Sequence, residues 1–246
     1  MSKLKTTITP IIGGIYRIAT YVDGTRVSFN QFLIDDERPM LVHTGEHGHY
    51  ESIRAAIAQV LDPAKLAFVA LLHFEGDECG GLDRFMQQAP EATLVSSAIS
   101  AGINLARFPW SYRILGVTDG DRVELGRHTL RTLETPHVHH WDSMMFVEEA
   151  TNSLFPSDLF LQTGDQPAVV REDLSEDMCA FYRYSGIFAS ETPVRALLDR
   201  LDVIRPAWAH AMHGGSLEAD TLAAFTRALR EQPFAYDGSL FARRIG

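Results

Sequence analysis

Seven apolar residues in a row, Leu66 to Leu72, run directly into His73-Phe74-Glu75-Gly76-Asp77-Glu78-Cys79-Gly80-Gly81. A continuous apolar run this short, without helical spacing, reads as a strand buried in a core. Residues two apart on an extended segment share a side, so His73, Glu75 and Asp77 are expected to converge where the strand gives way to a glycine-bearing loop. Three such donors make half of a metal site.

The flanking sequence supplies partners for that strand. Strands are expected at residues 14–21, 26–34 and 40–43, with a hairpin turn at Asp23-Gly24, where glycine accepts positive φ. Ile53, Ile57 and Val60 share one face of a helix over 50–60, and a second helix is expected at 82–88. Further strands are expected at 94–95, 122–125, 129–133, 144–147 and 153–155. The last third turns helical, at 175–184, 192–201 and 217–231, around one strand at 203–208. Each half thus repeats strands, helix, strand, helix, strands, an order that two sheets with helices outside satisfy, and a single domain over 1–246 is expected.

Acidic residues outnumber basic ones 32 to 22, a net charge of -10, and the basic face that nucleic acid requires is not visible. The N-terminal apolar stretch is broken by Pro10, Gly13, Gly14 and Arg17, so neither a signal peptide nor a membrane span is read and a cytoplasmic location is expected. Cys79 and Cys179, one hundred positions apart, provide no disulfide framework and fit a reducing compartment.

Three further segments place potential ligands after strands. They are Thr135-Pro136-His137-Val138-His139-His140-Trp141-Asp142, Leu154-Phe155-Pro156-Ser157-Asp158, and Trp208-Ala209-His210-Ala211-Met212-His213-Gly214-Gly215. With the first motif, these segments resemble the metallo-β-lactamase superfamily, and within it the diiron domain of flavodiiron proteins and their stand-alone oxygen-binding relatives. The resemblance covers nearly the whole chain. It implies an α/β fold, an αββα sandwich of two mixed sheets flanked by helices, with a binuclear site at one edge.

The resemblance also assigns ligands. His73, Glu75 and Asp77 match the first motif, Asp158 the carboxylate that bridges two metals, and His213 the last ligand. His140, before Trp141-Asp142-Ser143, matches a His-Trp-Pro-Asp-Ser segment whose proline is missing here, which leaves His139 as the alternative. In hydrolytic branches the first motif is usually His-x-His-x-Asp-His; Glu75 and Glu78 stand here for its second and third histidines. Flavodiiron proteins resemble this chain in the glutamate at the middle position.

Hard carboxylates mixed with imidazoles suit iron or manganese, and zinc accepts the same donors. Two iron ions are therefore expected, with zinc or manganese as alternatives. The resemblance implies binding of dioxygen or nitric oxide, either as a sensor or carrier or as a reductase. The rival function is a binuclear zinc hydrolase of a thioester, lactone or phosphoester. The 33 residues after His213 are too few for a flavodoxin domain, so FMN is not expected in this chain. A separate flavoprotein or rubredoxin donor, or a signalling partner, is expected instead, together with a homodimer.

Other features carry two readings each. Phe181-Tyr182-Arg183-Tyr184 resembles a tyrosine-bearing helix beside the metal pocket, where Tyr182 or Tyr184 would donate to a bound gas; aromatics on an amphipathic helix are otherwise core. His43 is read as a partner of a ligand or a loop residue, His47 and His49 as solvated, and His128 as exposed. His137 and His210 either orient ligands or pack at strand ends. Cys79 is read as a small buried residue rather than a redox group. Trp110, Trp141 and Trp208 are candidates to wall the pocket.

Overall fold

A computed structural model describes residues 4–106 and 111–238. Among the described residues, fourteen strands form two seven-stranded sheets. In the first, β1 (Leu4–Ile12), β2 (Ile15–Val22), β3 (Phe29–Ile34), β4 (Met40–Val42), β5 (Phe68–Ala70), β6 (Thr93–Ser97) and β7 (Arg113–Val117) lie side by side in chain order. β1 to β4 pair antiparallel and β4 to β7 parallel. The second sheet runs in the order β12 (Val169–Val170), β14 (Ser216–Glu218), β13 (Trp208–His210), β11 (Ser153–Phe155), β10 (Met144–Glu148), β9 (Thr129–Glu134), β8 (Arg122–Glu124), and is likewise mixed.

The apolar run explains the layering. Phe68, Ala70 and Leu72 face the second sheet, packing in one cluster with Phe146 and Phe155. Val69 and Leu71 face the other way, toward α1 (Tyr50–Ile57) and, past the one-turn α2 (Gly76–Cys79), α3 (Leu82–Gln88). A strand covered on both faces reads as unbroken hydrophobic sequence. Beyond the one-turn α4 (Ala98–Ser100), the helices α5 (Ser175–Ser185), α6 (Thr192–Ile204) and α7 (Ala219–Glu231) cover the second sheet through Met178, Leu198 and Phe225. The expected αββα sandwich is the architecture observed.

Several expectations change. β1, β7, β12 and β14 are strands that the sequence did not announce, and β14 takes the first residues of the helix expected from 217, which begins at Ala219; β1 and β7 are edges, and β1 tolerates Pro10 because an edge strand can spare a donor. The strand expected at 203–208 is displaced, since α6 continues through Ile204 and the strand is Trp208–His210. Pro206 cannot continue a helix, so the switch falls at the left-handed Arg205, φ 50°. No helix among the described residues is long and apolar enough to cross a membrane.

Candidate metal centre

Four loops meet at one place, following β5, β9, β11 and β13. His73 is fully buried, and its Nδ1 pairs with Ser157 Oγ at 2.8 Å. That leaves Nε2 to face Glu78 Oε2 at 3.0 Å, Glu75 Oε2 at 3.2 Å and Asp158 Oδ2 at 3.3 Å. Alternation along an extended chain holds only as far as Glu75, at φ -127° and ψ 158°. There α2 begins, and its first turn carries Asp77 and Glu78 together. Helical rotation brings Glu78, at 0% exposure, inward beside Asp77.

The loop after β9 brings in His139 rather than His140. His139 Nε2 lies 2.9 Å from Asp158 Oδ2 and 3.1 Å from Glu75 Oε2. His140 is turned aside, with Nδ1 3.3 Å from Asp142 Oδ1, although its ring stays 5.2 Å from that of His73. Asp142 is itself fixed by Asn104, whose Nδ2 donates to it at 2.8 Å. Val138 is driven into the core, and His137 N–H closes a tight turn onto His140 O, so no strand periodicity operates here.

Asp158 stands between two donor groups. Oδ2 faces His73 and His139, while Oδ1 lies 3.1 Å from His213 Nε2. His213 Nδ1 donates to Ser28 O at 2.8 Å, which fixes Nε2 as the atom turned to Asp158 and, at 3.5 Å, to Asp77 Oδ2. Gly214, at φ +97°, lets the chain double back; a side chain there would collide with Gln162, whose Oε1 accepts from Gly215 N–H.

Charges in the cluster are mutually dependent. Burial pulls His139 and His213 down, but Asp158, with Glu75 at one and Asp77 at the other, brings both up to about 9. His73 is held well above its ordinary range against burial by Glu78, Glu75 and Asp158. Burial would raise Asp158, yet the imidazoles of His139 and His213 beside its two oxygens keep it well below the usual carboxylate range. Glu75 is also lowered, by its bonds from His139 and His73. Burial leaves Asp77 raised and pushes Glu78 up to about 8. Protons on the imidazoles offset the carboxylates here, a task that a shared metal cation also performs.

The remaining candidates fall outside the cluster of donors. Tyr182 is fully buried and donates to Asp158 O at 2.7 Å while accepting from Leu161 N–H, so its proton serves the backbone. Tyr184 lies on the surface with the Arg26 guanidinium 4.6 Å over its ring. His43 is buried, Nε2 accepting from Leu72 N–H at 3.3 Å and Nδ1 3.8 Å from Glu78 Oε1. His47 and His137 are exposed; His49 is instead buried beside Phe29, and His128 is buried against Glu148. His210 packs between Phe155 and Trp208, so Trp208 covers a core histidine. Trp141 is 39% exposed, and Trp110 lies outside the described residues. Cys79 is half-buried, its thiol pushed up to about 11 by burial and the carboxylates of Glu78 and Asp77. A cleft of about 670 Å³ between α6 and α7 contains none of the donors.

A family model described as "ODP family beta lactamase" matches residues 27–214. Over 138 residues, 55% of this chain, the sequence is 30% identical to a nitric oxide reductase of Moorella thermoacetica, covering 34% of that protein. The chain spans about a quarter to a third of the curated relatives it matches. Among solved structures, it resembles rubredoxin oxygen:oxidoreductase from Desulfovibrio gigas, with a TM-score of 0.82 and 19% identity over 92% of this chain and 61% of that one. The flavodiiron protein from Giardia intestinalis gives a TM-score of 0.76 and 22% identity over 92% and 58%.

Proposed function

We propose that this chain, which belongs to the ODP beta lactamase family, holds two iron ions and binds dioxygen or nitric oxide between them. Its fold is the metallo-β-lactamase-like core of flavodiiron proteins. The observation that carries the two-metal reading is the division of Asp158, with Oδ2 2.9 Å from His139 Nε2 and Oδ1 3.1 Å from His213 Nε2. A carboxylate with one oxygen in each donor group is built to bridge.

The residues fit such a pair. Asp158 Oδ1 is buried without a hydrogen bond, and imidazole and carboxylate donors stand 2.9 to 3.5 Å apart around it. Donors bound to one metal at about 2.0–2.2 Å lie roughly this far from each other. His73, Glu75, His139 and Asp158 would hold one ion, and Asp77, Asp158 and His213 the other. Carboxylates and imidazoles without thiolate suit iron, with manganese or zinc able to compete.

Bound iron would supply the electrons and the open coordination positions for a diatomic ligand. The chain does the rest. Ser157 and the Ser28 carbonyl aim the Nε2 atoms of His73 and His213 inward. His73, Glu78 and Asp158 close the inner side, whereas the Glu75 side chain is 46% exposed and marks the side open to a small ligand. Turnover as a reductase would draw electrons from a separate flavoprotein or rubredoxin, the latter being the partner named for the Desulfovibrio protein. Without that supply the same site serves as a sensor or carrier. The free thiols Cys79 and Cys179 suit a cytoplasmic setting.

Anaerobically loaded with ferrous iron, the protein is expected to hold two ions per chain and to develop a visible absorption band on exposure to oxygen. Two zinc ions per chain as isolated, with lactonase or thioesterase turnover, would overturn this reading in favour of hydrolysis.

A further inference from the structure

We infer that Arg17 is a positioning residue for the metal centre, holding through Asn30 and Ser28 the turn that presents His213. The inference rests on the two-metal reading above and concerns the ion that Asp77, Asp158 and His213 would hold. Arg17 stands on β2, where Ala19 pairs with Asn30 of β3 and Arg17 itself with Phe32, so Arg17 and Asn30 are diagonal neighbours on one face of the sheet. The Arg17 side chain is buried, and all three guanidinium nitrogens donate: Nε to Asn30 Oδ1 at 3.0 Å, Nη1 to Gln166 O at 3.3 Å and Nη2 to Ser28 Oγ at 3.4 Å.

Each of these acceptors is neutral. Burial pulls the guanidinium down to about 10 against the opposing charge of Asp165, whose carboxylate is bound instead by Lys5 Nζ at 3.1 Å. A dehydrated charge without a paired carboxylate works against stability, and an apolar side chain would fill the same space at less cost. What Arg17 adds is geometry, since a rigid fork of donors fixes several acceptors relative to one another.

The turn before Gly214 needs that geometry, because β13 ends at His210 and residues 211–214 lie beyond it. The Asn30 amide supplies what a neighbouring strand cannot. Its Nδ2 donates to Ala211 O at 2.8 Å and to Gly214 O at 2.7 Å, on either side of His213. Arg17 Nε can meet only the oxygen of that amide, so it fixes which end of Asn30 faces the turn. Ser28 is held in the same way: its Oγ accepts from Arg17 Nη2 and from Gly214 N–H at 3.1 Å, while its carbonyl accepts from His213 Nδ1 at 2.8 Å. Both side chains that grip the turn from the end of β2 and the start of β3 thus lead back to one guanidinium.

The test is titration of metal-free wild type, Arg17→Lys and Arg17→Met with manganese(II) alone, reading stoichiometry by elemental analysis and the EPR spectrum. Wild type is expected to take two ions and give the spectrum of a coupled pair. In Arg17→Lys the charge stays, but an ammonium cannot meet three separated acceptors at once. That variant is expected to keep its first ion at wild-type affinity, to hold the second about tenfold more weakly, and to show the six-line spectrum of isolated manganese at one ion per chain. Arg17→Met, which removes the donors as well, is expected to weaken the second ion by up to about a hundredfold. The ion retained beside His73 and His139 reports that the chain is folded. Wild-type affinities for both ions in either variant would overturn the inference. Equal weakening of both ions in Arg17→Lys would also overturn it, as the mark of a merely structural role, and Arg17→Lys decides the matter even where Arg17→Met fails to fold. A wild type that takes a single ion would overturn the two-metal reading itself, a distinguishable failure.

Discussion

His139 Nε2 lies 2.9 Å from Asp158 Oδ2, while the adjacent His140 pairs with Asp142 Oδ1 at 3.3 Å. Neighbouring histidines therefore face different carboxylates, and only one of those carboxylates belongs to the donor cluster. His139→Ala is expected to reduce iron content from two ions to one or fewer per chain. His140→Ala should retain both, with a modest rise in lability from the loosened turn. Elemental analysis of the two variants after identical anaerobic loading decides it; greater loss in His140→Ala would restore the assignment made from the sequence.

Tyr182 joins α5 to the same site without facing it. Its hydroxyl bridges Asp158 O at 2.7 Å and Leu161 N–H at 3.1 Å, both buried. Tyr182→Phe keeps the ring and leaves those two backbone groups unpaired, which costs about 1–3 kcal/mol. A denaturant midpoint lowered accordingly, with metal affinity weakened about tenfold and no change in the EPR line shape, is the expected result. An altered spectrum would mean that the phenol reaches the metals directly.

The strand-end histidines and carboxylates were legible in the sequence because each follows an apolar run that could only be core. What the sequence hid lies just beyond the strands. Counting by two past His73 finds Glu75 but stops being valid at Gly76, where α2 starts, so the packing of Glu78 beside Asp77 does not follow from strand alternation. His139 was hidden for a related reason: in the turn from Thr135 to Ser143 the side-chain direction is set by hydrogen bonds and by Asp142, neither of which has a sequence period. His128 looked like a surface residue until the fold brought Glu148 to within 3.0 Å of its Nδ1.

That pair predicts a pH window for stability. Its partner Glu148 raises His128 in the folded state, so the His128 contribution is full below its unfolded value near 6.5 and is lost as pH rises through the higher folded value. Glu148, though burial opposes it, is lowered from 4.5 to about 2 by His128 and the Thr151 and Ala150 donors, so its contribution is full above 4.5 and lost toward 2. The melting-temperature difference between wild type and His128→Gln should therefore peak between pH 4.5 and 6.5 and shrink on the alkaline side. A difference that grows with alkaline pH would show the pair is not charged in the fold.

Metal removal tests how far the donor cluster depends on a cation. Asp77, Glu78 and Asp158 crowd together with Glu75, and among them Glu78 and Asp158 are buried. An ion that binds only the folded chain stabilises it by about 2.7 kcal/mol at a free concentration one hundred times its Kd. For a chain of this size that corresponds to a melting temperature roughly 5–10 °C higher, at about 2–4 °C per kcal/mol. Calorimetry with excess manganese against chelator should show that rise in wild type and little of it in Asp158→Ala, which removes the carboxylate both positions would share. An equal rise in the variant would place the stabilising ion elsewhere on the protein.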